Sequence, residues 1–402
     1  MSTALLSQRV LSIAPSPSIA ANALVATLRA QGRDIVNFTV GEPDLDTPAH
    51  IMEAAKAAIS AGETHYTNTL GTPALRKAIV TKLQRDNGLE YTLDQVVAAA
   101  GGKQIIFEAL AATLDPEDEV IVHTPYWVSY PDIAKLNGGT PVVIVGNETN
   151  GFKLTAAQLD AAITPRTKWL ILNSPNNPSG AVYTLEELQA LAQVLRRHPH
   201  VLVMADEIYE HFVYTEGGHV SFPKAAPDLK ERTLVVNGAS KGYAMTGWRL
   251  GFGAGPAWLI AAIGKLLSQT TTCPSSISQA AAVAAFVGDQ APVRAMASLY
   301  RKRRDLMLDL LSGIPGLTCV TPDGAFYVFA NVQGLLGRQV PQGYVLQTDA
   351  DVVRYWLEDA GVATVVGDAY GLSPYVRLSF ASGETLIREG CARIRKASEA
   401  LR

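Results

Sequence analysis

Between Asn237 and Gly251 the chain reads Asn-Gly-Ala-Ser-Lys-Gly-Tyr-Ala-Met-Thr-Gly-Trp-Arg-Leu-Gly. Lys241 stands among small residues, with Gly238, Ala239 and Ser240 before it and Gly242 after it, and Arg249 follows eight positions on. An amine with clearance around it can condense with a carbonyl, and a planar guanidinium can fork onto phosphate oxygens. The pair therefore suits a ligand that carries both groups. An ordinary basic turn would account for the same two residues, so the decision rests on what else the chain supplies.

Further stretches offer partners, each directly after an apolar run of strand length. Val96–Ala100 leads into Gly101-Gly102-Lys103 at a helix start, where backbone N–H groups and the helix dipole favour a phosphate. Glu119–His123 leads into Pro125-Tyr126-Trp127, whose indole can stack on an aromatic ligand. Trp169–Leu172 leads into Asn173-Ser174-Pro175-Asn176-Asn177-Pro178-Ser179-Gly180, where prolines stiffen a loop that aims a side-chain amide inward. Val201–Ala205 leads into Asp206-Glu207-Ile208-Tyr209. A carboxylate behind an apolar run is costly to bury unpaired. A protonated ring nitrogen is a suitable partner, and Tyr209 falls on the same face.

An open parallel sheet would bring these groups together, because ligands bind beyond the carboxyl ends of its strands. The apolar runs are continuous rather than alternating, which predicts strands buried on both faces and mostly parallel. Besides the four above, Val142–Val145, Leu234–Val236 and Leu250–Ala254 complete a set of seven strands. Helical patterns lie over Lys103–Thr113, Ser129–Leu136, Thr155–Ala162 and Leu185–Arg197. The expected fold class is α/β: a large domain over 46–290 with a mostly parallel seven-stranded sheet sandwiched by helices. A long helix at Val293–Leu311, strands at Ala325–Ala330 and Tyr375–Phe380, and helices at Ala350–Asp359 and Glu384–Leu401 predict a smaller α+β domain over 291–402. Residues 1–45, with a short strand at Asp34–Val40, are expected to form an arm that docks on it.

With 402 residues, 48% of them hydrophobic and 18% charged, a large core is expected. The net charge of −3 and the lack of a long basic run speak against nucleic acid. Cys273, Cys319 and Cys391 cannot all pair and form no Cys/His cluster, so no metal site is expected and a reducing cytoplasm is. No apolar run approaches the ~20 residues that span a bilayer.

A phosphate cradle, a stacking ring, an amide, a buried carboxylate, a phenol, an amine and an arginine make up the set that pyridoxal 5'-phosphate needs. Asp206 would keep the pyridine nitrogen protonated, Asn177 and Tyr209 would hydrogen-bond the ring oxygen, and Lys241 would carry the aldehyde as an imine.

On these residues the chain resembles the class I pyridoxal-phosphate aminotransferases of fold type I, in the aspartate/aromatic/prephenate branch. The motifs are Gly41-Glu42-Pro43-Asp44, Gly101-Gly102-Lys103, Tyr126-Trp127, Ser174–Gly180, Asp206–Tyr209, Asn237–Gly251 and Val376-Arg377-Leu378-Ser379. The resemblance implies a catalytic set of Lys241, Asp206 and Tyr209, with Lys241 as Schiff-base lysine and proton carrier. It implies that Arg249 and the backbone N–H groups of Gly102 and Lys103 bind phosphate, with Trp127 stacking on the ring and Asn177 contacting cofactor and substrate. Arg377 would grip the substrate α-carboxylate and Gly41 would contact it through backbone. Tyr66 would reach the phosphate of a partner subunit, so a homodimer with shared sites is implied. Some family members carry a serine where this chain has Gly238, which removes one expected phosphate contact.

The activity this implies is ping-pong transfer of an amino group from an aspartate-like or aromatic amino acid to a 2-oxo acid. Arg9 and Ser16, in the arm, are candidate readers of a distal carboxylate, whereas Tyr126, Tyr243 and Trp248 suit an aromatic side chain. A C–S β-lyase on the same fold would use the same lysine and arginine. A non-catalytic pyridoxal-binding regulator would carry a DNA-binding segment, and no basic helix-turn-helix precedes residue 34.

Overall fold

The computed structural model describes residues 5–15 and 17–402. Its central sheet has seven strands, in the order Val96–Ala99, Gly251–Ala254, Thr233–Gly238, Leu202–Asp206, Thr167–Asn173, Glu119–His123, Thr140–Ile144. The run from Thr233–Gly238 to Thr140–Ile144 is parallel throughout, and Gly251–Ala254 is antiparallel to both its neighbours. Continuous apolar character translates directly into two-sided burial. Along Thr167–Asn173, Trp169 and Ile171 enter one core with Ile105, Met204 and Leu234, while Leu170 and Leu172 enter another with Leu191 and Val203. The antiparallel strand is thin for a reason. A Cβ on Gly253 would lie 2.8 Å from Ile105 Cγ2, so glycine lets helix Gly102–Thr113 rest directly on the sheet.

The helices lie where the apolar spacing predicts, with their ends set by side-chain caps. Thr155 and Thr184 each accept the backbone N–H three residues on, and Gln158 and Glu187 return the bond, so both helices begin in reciprocal caps. Thr155, expected as a first helical residue, is the cap instead.

A second sheet pairs Val365–Val366, Tyr375–Ser379, Tyr327–Asn331 and Thr318–Cys319, all antiparallel. The amino-terminal segment joins this half. Val36–Asn37 runs parallel to Val362–Ala363, the Arg33 guanidinium donates to the carbonyls of Leu357 and Glu358, and Ser379 N donates to Phe38 O at 2.9 Å. The strand expected over Asp34–Val40 is shorter because the Asn37 side-chain oxygen accepts Thr39 N at 2.9 Å and turns the chain toward Gly41. Tyr209, Phe212 and Tyr214, from the turn after Leu202–Asp206, pack into one core with Phe38, Tyr300, Phe326, Tyr327 and Trp356. Among the described residues no helix is long and apolar enough to cross a membrane.

Phe38 is fully buried and holds the incoming segment against both halves. Phe38→Ala is expected to lower unfolding free energy by about 3–5 kcal/mol, read as a shifted denaturant midpoint by circular dichroism.

Candidate active site

The strand ends converge on a cavity of about 410 Å³ that runs between the two halves. Lys241 lies in the turn after Thr233–Gly238, and its Nζ donates to the Gly41 carbonyl at 2.5 Å. The amine is held down to about 8, chiefly by burial and further by Arg377 and Arg249, while Glu42 opposes the shift. Glu42 is itself fixed by Thr246, whose hydroxyl donates to it at 2.5 Å.

Asp206 ends its strand and is almost wholly buried. Burial raises its carboxyl to about 6, against hydrogen bonds from the Tyr130 hydroxyl at 2.6 Å and Ile208 N at 3.3 Å that favour the charged form. The Tyr209 hydroxyl shares a 2.8 Å hydrogen bond with that of Tyr327, which comes from the small sheet. Burial pushes the Tyr209 phenol well above its ordinary range.

The loop after Thr167–Asn173 is braced internally. Asn173 Oδ1 accepts Asn177 N at 2.9 Å, and Asn176 Oδ1 accepts both the N–H and the hydroxyl of Ser179. Asn177 Oδ1 then accepts from Arg377 Nη1 at 3.1 Å, and Arg377 Nη2 donates to Thr39 O at 2.6 Å. The guanidinium lies 4.4 Å from the Tyr327 ring centre and 5.3 Å from that of Tyr370, and its buried Nε makes no hydrogen bond.

At the opposite wall the chain turns through Gly101, at φ +94°, into helix Gly102–Thr113. A Cβ on Gly101 would come within 2.7 Å of Arg249 Nη2. Arg249 adopts a left-handed backbone, φ +53°, which aims its side chain back so that Nη1 reaches Thr246 O at 3.0 Å. Lys103 Nζ sits 4.8 Å from the Trp127 ring centre, and desolvation, then Arg249, lowers its pKa. Trp127 meets Tyr130 edge-on at 5.3 Å.

A family model described as aminotransferase class I and II matches residues 33–394. The chain belongs to that family. It is 49% identical to the aspartate aminotransferase of Rhizobium meliloti over 98% of this chain and 96% of that protein. It is 48% identical to the aspartate/prephenate aminotransferase of Cereibacter sphaeroides over 97% and 98%. The crystal structure of the aspartate aminotransferase from Rhizobium meliloti superposes with a TM-score of 0.96 at 48% identity, covering 99% of both chains. That of the Thermus thermophilus aspartate aminotransferase with maleate gives 0.90 at 42%, covering 98% and 99%. The protein is a pyridoxal-phosphate-dependent aminotransferase of fold type I.

The residues of the cavity fit that cofactor. Gly102 and Lys103, at the start of a helix, line the cavity together with Ser240 and Arg249, and Gly101 lets the Arg249 guanidinium lie against that helix start. Asp206, Tyr209, Asn177 and Lys241 line the same cavity. Gly238 lacks a side chain because none fits: a Cβ there would lie 2.8 Å from both Gly251 Cα and Leu250 O on the paired strand.

Of the residues singled out in the aminotransferase sequence, Gly41, Gly102, Lys103, Trp127, Asn177, Asp206, Tyr209, Lys241, Arg249 and Arg377 all line the cavity. Arg9, Tyr66, Tyr126, Tyr243 and Trp248 do not. Arg9 is exposed on the short helix Gln8–Leu11 and does not line this chain's cavity. Ser16 lies outside the described residues. Tyr66 is 88% exposed and borders a different recess with His65 and Ser276. Tyr130, Tyr327, Thr39 and Asn22 line the cavity without having been singled out. Tyr130 follows Tyr126-Trp127 by one helical turn, and that spacing was its one available signal.

In cofactor-free protein, the rate at which an amine-selective acylating reagent captures Lys241 should follow a titration near 8 rather than the ordinary 10.5. Peptide mapping at a series of pH values checks it. Asp206 has a folded value above its ordinary 3.8, so its contribution to stability is complete below that value and is lost as pH rises through about 6. Tyr130→Phe removes a bond that favours the charged form. It should move that window upward in thermal melts of cofactor-free protein, and Asp206→Asn should abolish it.

Proposed function

We propose that the enzyme transfers the amino group of a dicarboxylic amino acid, aspartate first, to a 2-oxo acid such as 2-oxoglutarate. The observation that carries this reading is a cavity cation besides Lys241, Arg249 and Arg377: the Lys103 ammonium, held over Trp127. Arg377 suits the α-carboxylate, because Asn177 and Thr39 orient its fork while unbonded N–H groups remain. Lys103 suits a carboxylate at the other end of the substrate. The maleate in the Thermus thermophilus enzyme's crystal is a dicarboxylate of that kind.

When bound, pyridoxal phosphate supplies an electron sink at the substrate α-carbon and keeps the amino group between half-reactions. The chain's own residues do the rest. Lys241 Nζ, held down to about 8, carries far more free amine at neutral pH than an ordinary lysine, and it takes and returns the α-proton. Asp206 sits where a carboxylate can hold a ring N–H. Tyr209 and Asn177 would hydrogen-bond the ring oxygen, Trp127 would stack on the ring, and Gly102, Lys103 and Arg249 would hold the phosphate.

The same reading makes the enzyme a homodimer with shared sites. Tyr66 is exposed and outside its own chain's cavity, so a phosphate contact by it requires a second copy. We divide the chain into an arm over 1–45, a cofactor domain over 46–290 and a small domain over 291–402, a division that the separate sheets support. The unpaired cysteines support a cytoplasmic enzyme.

Lys241→Ala is expected to abolish exchange between aspartate and 2-oxoglutarate; retained exchange at the parent rate would overturn the assignment. Lys103→Met should lower kcat/KM for aspartate relative to phenylalanine by about 10- to 100-fold, the worth of a hydrogen bond to a charged group at about 1.5–3 kcal/mol. A substrate panel against 2-oxoglutarate measures this. Steady release of a 2-oxo acid and ammonia from one amino acid alone would instead favour an elimination.

A further inference from the structure

Behind the cavity wall lies an ionic group that the chemistry above does not use. Lys82, the last residue of helix Pro73–Lys82, is 1% exposed. Its Nζ pairs with Glu210 Oε1, donates to Asn87 Oδ1 at 2.8 Å, and lies 3.6 Å from Asp86 Oδ2. Glu210 also accepts from Asn87 Nδ2 at 2.6 Å and from Asn237 Nδ2 at 2.8 Å. Asn237 Oδ1 in turn accepts Gly238 N at 2.7 Å. Beside this chain the His211 ring fills the space above Gly242, where a Cβ would come within 2.4 Å of Nδ1.

The placement is specific. Glu210 follows Tyr209 directly and stands four residues after Asp206, and Asn237 stands four residues before Lys241. The two strands pair at Asp206 and Val236, and Glu207 N donates to Val236 O at 2.9 Å. One buried ammonium–carboxylate pair is thus bonded to both turns that carry the reacting groups, at the point where each leaves the sheet. A buried ion pair adds little net stability over well-packed apolar residues of the same volume. What it offers here is direction, because each hydrogen bond fixes an angle that an apolar contact would leave loose. Glu207, Glu210 and His219 also place ligand atoms within 4.8 Å of one another. The Lys82 ammonium already sits on Glu210, and His219 lies 3.2 Å from Glu207, so the cluster already has a cation on one carboxylate and an imidazole beside the other.

We propose that Lys82, Glu210 and Asn237 form a positioning unit that holds the Lys241 turn in register with the Asp206–Tyr209 turn, and so acts on the reaction through those residues. This rests on the roles given above to Lys241, Asp206 and Tyr209. The test compares Lys82→Met, Asn237→Leu and the double variant Lys82→Met/Glu210→Leu as holoenzymes. Lys82→Met leaves Glu210 unpaired and should lower the Tm, while the double variant should recover it. In all three, kcat should fall on the order of 100-fold, the cost of displacing a reacting group by about 1 Å, with KM for both substrates little changed. In cofactor-free double variant the Lys241 acylation midpoint should leave its wild-type value. A double variant with wild-type Tm, kcat and midpoint would overturn the proposal and leave the network a packing feature. Should Lys241→Ala keep full activity, the reading of the site itself fails. An inactive Lys241→Ala beside a wild-type double variant sinks only this inference.

Discussion

A lysine amine taken out of water is the constraint on which the rest of this enzyme depends. An isolated ammonium is costly to desolvate, and a fully neutral amine would need no guanidinium neighbours. Lys241 sits between these limits, with its Nζ on the Gly41 carbonyl, Glu42 nearby, and Arg377 and Arg249 on the unfavourable side. These groups come from separate places. Gly41 follows the segment bonded to the small sheet through Phe38 O and Ser379 N, Arg377 lies in that sheet, and Arg249 precedes the antiparallel strand of the large one. The amine therefore has its working environment only when both halves of the fold are assembled.

Close approach at the glycine turn imposes a second demand. Gly238 and Gly251 face each other across paired strands, and neither tolerates a Cβ. That closeness draws the helix start at Gly102 toward the turn that carries Lys241, because a Cβ on Gly251 would lie 2.2 Å from Gly102 N. Some family members place a serine at the position of Gly238. This chain spends that position on strand contact and presents Ser240 to the cavity instead.

Much of this was readable from residue order. The parallel strands are continuous apolar runs, and burial on both faces is the physical reason for that continuity. Asp206, Asn177 and Lys241 were readable because polar residues placed directly after such runs must meet a partner or a ligand. The short pairings at Val36–Asn37, Val362–Ala363 and Val365–Val366 were not all readable, because pairings of two residues carry no periodicity. Tyr130 and Tyr327 were hidden for a different reason. Each is aromatic within an apolar stretch, and only the fold shows that one hydroxyl meets Asp206 and the other Tyr209. Arg9 illustrates the converse. A cation in the amino-terminal arm is chemically suitable, but only the fold gives its position: Arg9 does not line this chain's cavity, whereas Lys103 does, from helix Gly102–Thr113.

Lys103 also shows why one lysine can be read in two ways. Its backbone N–H belongs to the first turn of a helix at the cavity wall, while its side chain turns back over Trp127. Both are consequences of a helix that starts at the cavity wall, where the main chain and the long side chain have separate reach. A flexible ammonium resting on an indole can swing to a second carboxylate without any backbone change, and can return to the ring when the side chain of the substrate is aromatic or small. The rigid fork of Arg377, fixed by Asn177 and Thr39, has no such freedom. On the proposed reading, the site pairs a fixed cation, Arg377, for the α-carboxylate with a longer-reaching one, Lys103, for the group that differs between amino acids.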